Sequence, residues 1–136
     1  MQINVSTQQG RVPITILQLN GNLDASNYTE PIQKAQELFA GGARDLVIDL
    51  SNVPHISSAG LMAIHTLALI FGGTQTSGTQ SGQSPFRAVD PKRDQSIREH
   101  VKLINPQPQV DQALDMVGLK LFFPIFNDLD SAVKSF

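Results

Sequence analysis

Several residue types and patterns are missing from this chain, and each absence narrows what the protein can be. No cysteine occurs among the 136 residues, which excludes disulfides, thiolate zinc sites and a cysteine nucleophile. The longest apolar run, Leu67–Phe71, is far shorter than the ~20 residues that span a bilayer. The first residues also lack the charged-then-apolar pattern of a secretory signal. We therefore expect a cytoplasmic protein that makes no membrane contact.

Strong charge and ligand-spacing motifs are missing as well. The formal net charge is −2, and the 10 basic residues are scattered along the chain, which argues against a nucleic-acid surface. The three histidines, His55, His65 and His100, show no close ligand spacing, so no metal site is expected. A phosphate-cradling Gly-x-x-x-x-Gly-Lys loop is absent, which makes a nucleotide hydrolase a poor interpretation. No cofactor is predicted.

Apolar stretches with strand and helix patterns alternate along the chain, as in α/β proteins. Strands are predicted at 3–7, 12–19, 46–50, 100–105 and 122–126. The first two are expected to form a hairpin, and the others to pair in parallel. Helices are predicted after Asn27, from Ser57-Ser58, after Pro108 and from a cap at Asn127. The expected fold is α/β, with a mixed, largely parallel sheet of four to five strands and about four helices.

One long segment lacks any pattern of this kind. Residues 72–84 are only glycine, threonine, glutamine and serine, and residues 85–96 are polar and charged. Such a segment has little to bury, so we predict a flexible insertion at 72–96 within a single domain spanning 1–136. Both a tolerated surface insertion and a docking loop fit this composition.

The most informative stretch is 49–61, where a buried strand ends at Asp49 and a helix opens at Ser57-Ser58. Backbone N–H groups lack partners at a helix N-terminus and the helix dipole is positive there. A phosphate on either serine would be stabilised by both. Simple N-capping explains the serines equally well, and the two roles are compatible.

The chain resembles the STAS domains of anti-sigma-factor antagonists at three places in the same order. These are Gly21-Asn22-Leu23-Asp24, the stretch from Asp49 to Leu61, and the stretch from Asn105-Pro106 to Phe126. The resemblance implies a STAS-like fold. Aligned on Gly60-Leu61, the family's phospho-acceptor falls on Ser58. Ser57 replaces an acidic neighbour, which makes it a second candidate acceptor, and Ala59 replaces the family's second serine.

In that family, the unphosphorylated protein binds a GHKL-type serine kinase that doubles as an anti-sigma factor, and phosphorylation releases it. A phosphatase then resets the switch. The resemblance therefore implies a non-catalytic regulator of partner switching. The partner surface is expected to include the following residues: Asp24, Ser57, Ser58, Gly60 and Met62. Asp49 is also placed near the acceptor by the resemblance, although it could simply bond turn amides. Met62 and Leu69 are expected on the side of the helix that does not pack on the sheet, either exposed or covered by the insertion. The alternative, that the fold buries both faces of this helix, fits the sequence equally well.

Two other functions are consistent with parts of the sequence. A STAS-type scaffold or small-ligand-binding module without phosphorylation is favoured by Ser57 and by the long insertion. A serine hydrolase would use Ser57 or Ser58 with His55 or His65 and an aspartate. The Gly-x-Ser-x-Gly turn of such enzymes is absent, which speaks against the hydrolase.

Overall fold

A computed structural model describes residues 2–71, 100–119 and 123–136 of the chain. The described strands are β1 (Gln2–Gln9), β2 (Pro13–Asn20), β3 (Leu46–Asn52), β4 (Val101–Ile104) and β5 (Ile125–Phe126). The described helices are α1 (Thr29–Ala40), α2 (Ser58–Phe71), α3 (Pro108–Met116) and α4 (Leu129–Lys134). The predicted insertion at 72–96 lies outside the described residues, and it stays a prediction.

The strands form one five-stranded mixed sheet in the order β1-β2-β3-β4-β5. β1 and β2 pair antiparallel over their whole length, from Gln2 opposite Asn20 to Gln9 opposite Pro13. The pairs β2-β3, β3-β4 and β4-β5 are all parallel. The predicted α/β class, with its hairpin and largely parallel sheet, is confirmed. Because β2 and β3 are parallel, the loops that leave their carboxyl ends meet at the same edge of the sheet.

Alternation along the strands sends side chains to two different cores. Ile48 and Leu50 of β3 belong to the larger core, in which α1, α2 and α3 pack on one face of the sheet. Val47 points the other way, into a smaller core that α4 closes with Ala132 and Val133. Three helices therefore cover one face, and among the described residues a single short helix covers part of the other.

Lys102 of β4 lies under α4 and is only 4% exposed. Its Nζ donates to the backbone oxygen of Ser135 at 2.9 Å and to the Ser135 hydroxyl at 2.8 Å. The ammonium also lies 4.1 Å from the centre of the Phe136 ring. A cation at the carboxyl end of a helix interacts favourably with the helix dipole, so Lys102 fastens the end of α4 to the sheet.

Two predicted helix starts need correction. The cap of α4 is Asp128 rather than Asn127, because the Asp128 carboxylate accepts from the backbone N–H of Ser131 at 2.7 Å. The residue that precedes α1 is Tyr28, which makes no side-chain capping bond. Asn27 instead bonds within its own loop, accepting from the N–H of Asp24 at 2.9 Å. Within the described ranges, no helix is both long and apolar enough to cross a bilayer.

Candidate functional site

Ser57 is the N-terminal cap of α2. Its hydroxyl oxygen accepts from the backbone N–H of Gly60 at 3.3 Å, and its carbonyl accepts from the N–H of Leu61 at 2.9 Å. The first bond satisfies one of the orphan donors of the helix start, and the second begins the helical ladder. The Ser57 side chain is half-buried and engaged in the fold.

Ser58 is the first helical residue and is exposed. In the part of the chain that the structure describes, its hydroxyl makes no hydrogen bond. The two adjacent serines therefore differ in their surroundings. Ser57 holds the helix start, whereas Ser58 presents an uncommitted hydroxyl at the positive end of the helix dipole.

The loop after β2 is fastened to the turn before α2 by backbone hydrogen bonds. The N–H of Leu23 donates to the carbonyl of His55 at 3.0 Å, and the N–H of Ser57 donates to the carbonyl of Leu23 at 2.9 Å. Leu23 and Ile56 form an isolated parallel bridge. Asp24 follows Leu23 directly, so these bonds bring it beside the start of α2.

Asp24 is ordered by its own loop. One carboxylate oxygen accepts from the hydroxyl of Ser26 at 2.5 Å and from the backbone N–H of Ser26 at 2.9 Å. These two bonds, with a smaller contribution from the charge of His55, hold the pKa of Asp24 below its ordinary value of 3.8. Asp24 is therefore a carboxylate at neutral pH, and it places a negative charge on the loop whose Leu23 carbonyl accepts from the N–H of Ser57 at the start of α2.

Gly60 allows the loop and the helix to approach one another. A Cβ at this position would lie 2.6 Å from the Leu23 carbonyl oxygen and 2.7 Å from Cγ1 of Ile56. Both distances are shorter than a carbon atom tolerates, so only glycine fits. Gly60 is buried. Its contribution to the predicted partner surface is to bring Asp24 close to α2.

Met62 lies one helical turn beyond Ser58, on the same side of α2. Its side chain is 40% exposed, which is high for a residue of this size and polarity. Leu69, the other residue expected on this side of the helix, is buried in the larger core. The exposed part of α2 is therefore its first turn, and Ser58, Met62 and the Asp24 loop define what we call the switch surface.

Asp49 is not part of the switch surface. It lies between Ile48 and Leu50, which point into the larger core, so its side chain is on the opposite face of the sheet. There one carboxylate oxygen accepts from the backbone N–H of Ser51 at 3.0 Å and the other from Nε2 of Gln18 at 3.3 Å. The expectation that Asp49 lies near the acceptor was wrong, and the alternative of turn bonding is what the structure shows.

His65 is placed differently from what a hydrolase needs. His65 is buried and lies seven residues along α2 from Ser58, about 10 Å at the rise of an α-helix. That separation is too long for proton transfer to the hydroxyl of Ser58. Over residues 2–71, 100–119 and 123–136, no group of three or more metal-ligating side chains could hold an ion.

A family model for the STAS domain matches residues 3–71, which run from β1 to the end of α2. The chain belongs to the STAS domain family. The matched residues include every residue of the switch surface. No curated protein sequence matches this STAS domain significantly.

Solved structures resemble the STAS domain over nearly its whole length. One is a putative anti-sigma factor antagonist from Thermotoga maritima, with 17% identity, a TM-score of 0.64, and 96% of this chain and 90% of that chain covered. A second is an anti-sigma factor antagonist from Mycobacterium paratuberculosis, with 19% identity, a TM-score of 0.63 and coverages of 98% and 95%. A third is the Bacillus cell fate determinant SpoIIAA in its phosphorylated form, with 13% identity, a TM-score of 0.59 and coverages of 97% and 96%. At these identities, the likeness establishes the shared fold.

Sequence reasoning missed the residues that order the site. Ser26 fixes the Asp24 carboxylate, Asn27 bonds the Asp24 backbone, and His55 lies close enough to act on the charge of Asp24. Helix capping or turn formation alone would explain the run Asp24-Ala25-Ser26-Asn27, without saying which residue fixes the carboxylate. The spacing of an acid two residues before a serine is also typical of an Asx turn, and that signal could have identified Ser26.

Proposed function

We propose that this STAS domain is a regulator of the anti-sigma-factor-antagonist type in a bacterial partner-switching pathway. When unphosphorylated, it binds a GHKL-type serine kinase that also acts as an anti-sigma factor. Phosphorylation of Ser58 ends the binding, and a phosphatase restores it. The protein acts in the cytoplasm and is not itself an enzyme. The observation that carries this proposal is the exposed, uncommitted hydroxyl of Ser58 at the start of α2, beside the charged Asp24.

The electrostatics of the switch surface support a change in affinity rather than a change in fold. A phosphate adds about −1.5 to −2 charges and three acceptor oxygens. The N–H groups and dipole at the start of α2 would stabilise that charge within the protein. The Asp24 carboxylate adds to the negative charge that an approaching partner meets. A partner with an acidic group opposite Ser58 is then repelled, and its contact with Met62 is lost.

The choice of Ser58 over Ser57 rests on the capping bond. Phosphorylating Ser57 would convert the hydroxyl that accepts from Gly60 into a phosphate ester and would put a bulky group in a half-buried position. Modification of Ser58 breaks no hydrogen bond of the described structure. Ser58 is therefore the acceptor that a kinase can modify without disturbing the helix start.

Mapping of the phosphorylation site tests the proposal directly. The protein is incubated with ATP and an extract of its own cells, and tandem mass spectrometry locates the phosphate. We expect phosphate on Ser58 in the wild type and in Ser57→Ala, and none in Ser58→Ala. Phosphate on Ser57 would refute the assignment of the acceptor. No phosphate on either serine, in extract with active kinases, would refute the switch.

A capture experiment tests the partner. Immobilised wild type and Ser58→Asp are incubated with the same extract, and the retained proteins are identified. A GHKL-type kinase retained by the wild type and lost with Ser58→Asp is the expected outcome. Met62→Lys introduces a charge into the switch surface and leaves Ser58 unchanged. Immobilised Met62→Lys should therefore also fail to retain the kinase. Met116→Lys is the matched control, because Met116 is an exposed methionine on another helix.

The second candidate function is a STAS-type scaffold or ligand-binding module without phosphorylation. It is favoured by Ser57, which stands where the family's best-known sequences have an acid and which serves here as a neutral cap. This function requires that no phosphate appears on Ser58 and that a partner binds wild type and Ser58→Asp equally. The two experiments above therefore discriminate between the two functions.

A further inference from the structure

β1 is a long edge strand whose outer side pairs with no other described strand. All eight of its residues, Gln2–Gln9, are in regular register with β2. The other edge strand, β5, has only two residues. The sheet therefore has one short edge and one long edge, and within residues 2–71, 100–119 and 123–136 no strand pairs with the backbone donors and acceptors along the outer side of the long edge.

Proteins usually protect such an edge, and the sequence of β1 itself supplies none of the usual protection. Charged side chains, prolines, bulges and shortness are the common devices that prevent pairing with another chain. β1 has no lysine, arginine, aspartate, glutamate or proline. Its pairing with β2 contains no irregularity, whereas the pairing of β2 with β3 shifts between Gln18 and Asn20. The outer edge of β1 is thus suited to accept a strand.

The side chains of β1 make a second copy of the same strand a suitable partner. Val5, near the middle of the strand, is 40% exposed although its neighbour Ile3 packs against the larger core. Residues directly opposite each other in an antiparallel pair lie on the same face of the sheet. A twofold axis through Val5 keeps every side chain on its own face. It sets Val5 opposite Val5, Asn4 opposite Ser6, Ile3 opposite Thr7, and Gln2 opposite Gln8.

This register is self-complementary. The exposed valine contacts its own copy, Asn4 meets Ser6, Gln2 meets Gln8, and Thr7 lies opposite the apolar Ile3. No like charges face each other, because the strand has none. An isologous pairing of this kind closes after two subunits. The two five-stranded sheets would become one continuous sheet of ten strands.

We propose that β1 is a self-association surface through which two copies of this chain pair antiparallel, with Val5 on the twofold axis. Edge pairing of one strand buries less than the ~1,200 Å² typical of stable complexes. The dimer is therefore weak and dependent on concentration, with a Kd of about 1 μM or weaker. Ser58, Met62 and Asp24 are not on β1, so the inference is independent of the proposed function.

Sedimentation velocity over a range of concentrations tests the proposal with paired charge variants. Wild type should sediment increasingly as a dimer as its concentration rises. Val5→Lys and Val5→Glu should each be monomeric, with at least a tenfold loss in the association constant, because like charges then face each other across the axis. An equimolar mixture of the two variants should regain the dimer, since opposite charges then meet.

Controls keep the result specific to β1. Met116→Lys changes an exposed apolar residue of α3 and should dimerise like the wild type. Circular dichroism and thermal unfolding establish that the Val5 variants are folded. A wild type that stays monomeric at all concentrations overturns the proposal, as does a dimer that both Val5 variants leave intact. A mixture that stays monomeric overturns the pairing at Val5.

Discussion

At the scale of single residues, Gly60 decides how closely α2 approaches the Leu23 loop. Replacing it with alanine puts a methyl group 2.6 Å from the Leu23 carbonyl oxygen, which is backbone and cannot rotate away. Overpacking of this kind costs about 1–3 kcal/mol. We expect Gly60→Ala to lower the free energy of unfolding by about that amount, measured by urea denaturation.

Gly41 provides the matched control for this prediction. It follows α1 with a φ of −79°, and a Cβ there would lie 3.4 Å from the nearest atom, the Glu37 carbonyl oxygen. Alanine fits this backbone conformation, so Gly41→Ala should leave stability nearly unchanged or raise it slightly. Equal losses in the two variants would show that steric contact at Gly60 is not the cause.

At the scale of elements, α4 depends on the buried cation beneath it. Lys102→Met removes the two bonds to Ser135 but also removes the cost of keeping a charge out of water. Ser135 is exposed, so water can satisfy its oxygens, and exchanging a buried charge for an apolar residue is often nearly neutral. We expect global stability to change by less than about 1 kcal/mol, while amide hydrogen exchange accelerates at 132–136.

The control for α4 is Lys34→Met, which removes an exposed lysine from α1, where Lys34 lies 3.5 Å from Glu37. Exposed ion pairs contribute little to the free energy of unfolding, so Lys34→Met should change neither global stability nor amide hydrogen exchange at α4. If Lys102→Met leaves exchange at 132–136 unaltered, the lysine does not fasten the helix. A large loss of global stability in Lys102→Met would instead show that α4 unfolds together with the rest of the domain as one cooperative unit.

At the scale of the whole molecule, we expect acid to weaken the fold partly through two carboxylates. Hydrogen bonds from Ser26 lower the pKa of Asp24 below 3.8, and hydrogen bonds from Ser131 do the same for Asp128. A folded-state pKa below the unfolded value contributes stability above the unfolded pKa. That contribution is lost as pH falls below about 3.8 toward the folded pKa.

The prediction is a smaller acid sensitivity when both groups are made neutral. The double variant Asp24→Asn with Asp128→Asn should lose less stability than wild type between about pH 5 and pH 3, measured by urea unfolding at each pH. Asp130→Asn is the control, because Asp130 is exposed and makes no hydrogen bond in the described structure. An unchanged pH dependence in the double variant would assign the acid sensitivity to other groups.

Much of this fold could be predicted from local pattern. The β-branched run before Asn20, the apolar run at 46–50 and the serine pair at the start of α2 predicted these elements and their order. Helix starts were less certain, since Asn127 and Asp128 are both good caps and only the bond to Ser131 distinguishes them. Periodicity also left open whether Leu69 is exposed, because α2 is apolar almost all round.

The sequence by itself determined that this is an α/β domain, and that its STAS-type turn leads into a helix that begins at Ser57-Ser58. Both follow from local pattern, because the signals of strands, turns and helices are local. Only the folded structure decided which serine caps the helix, where Asp24 lies, and that Asp49 faces away. The capping serine is identified by a local bond, from the N–H of Gly60 to the hydroxyl of Ser57. The position of Asp24 depends on hydrogen bonds between segments more than twenty residues apart, such as that from Ser57 to Leu23. The position of Asp49 depends on strand alternation within the folded sheet, which fixes the face on which each side chain lies.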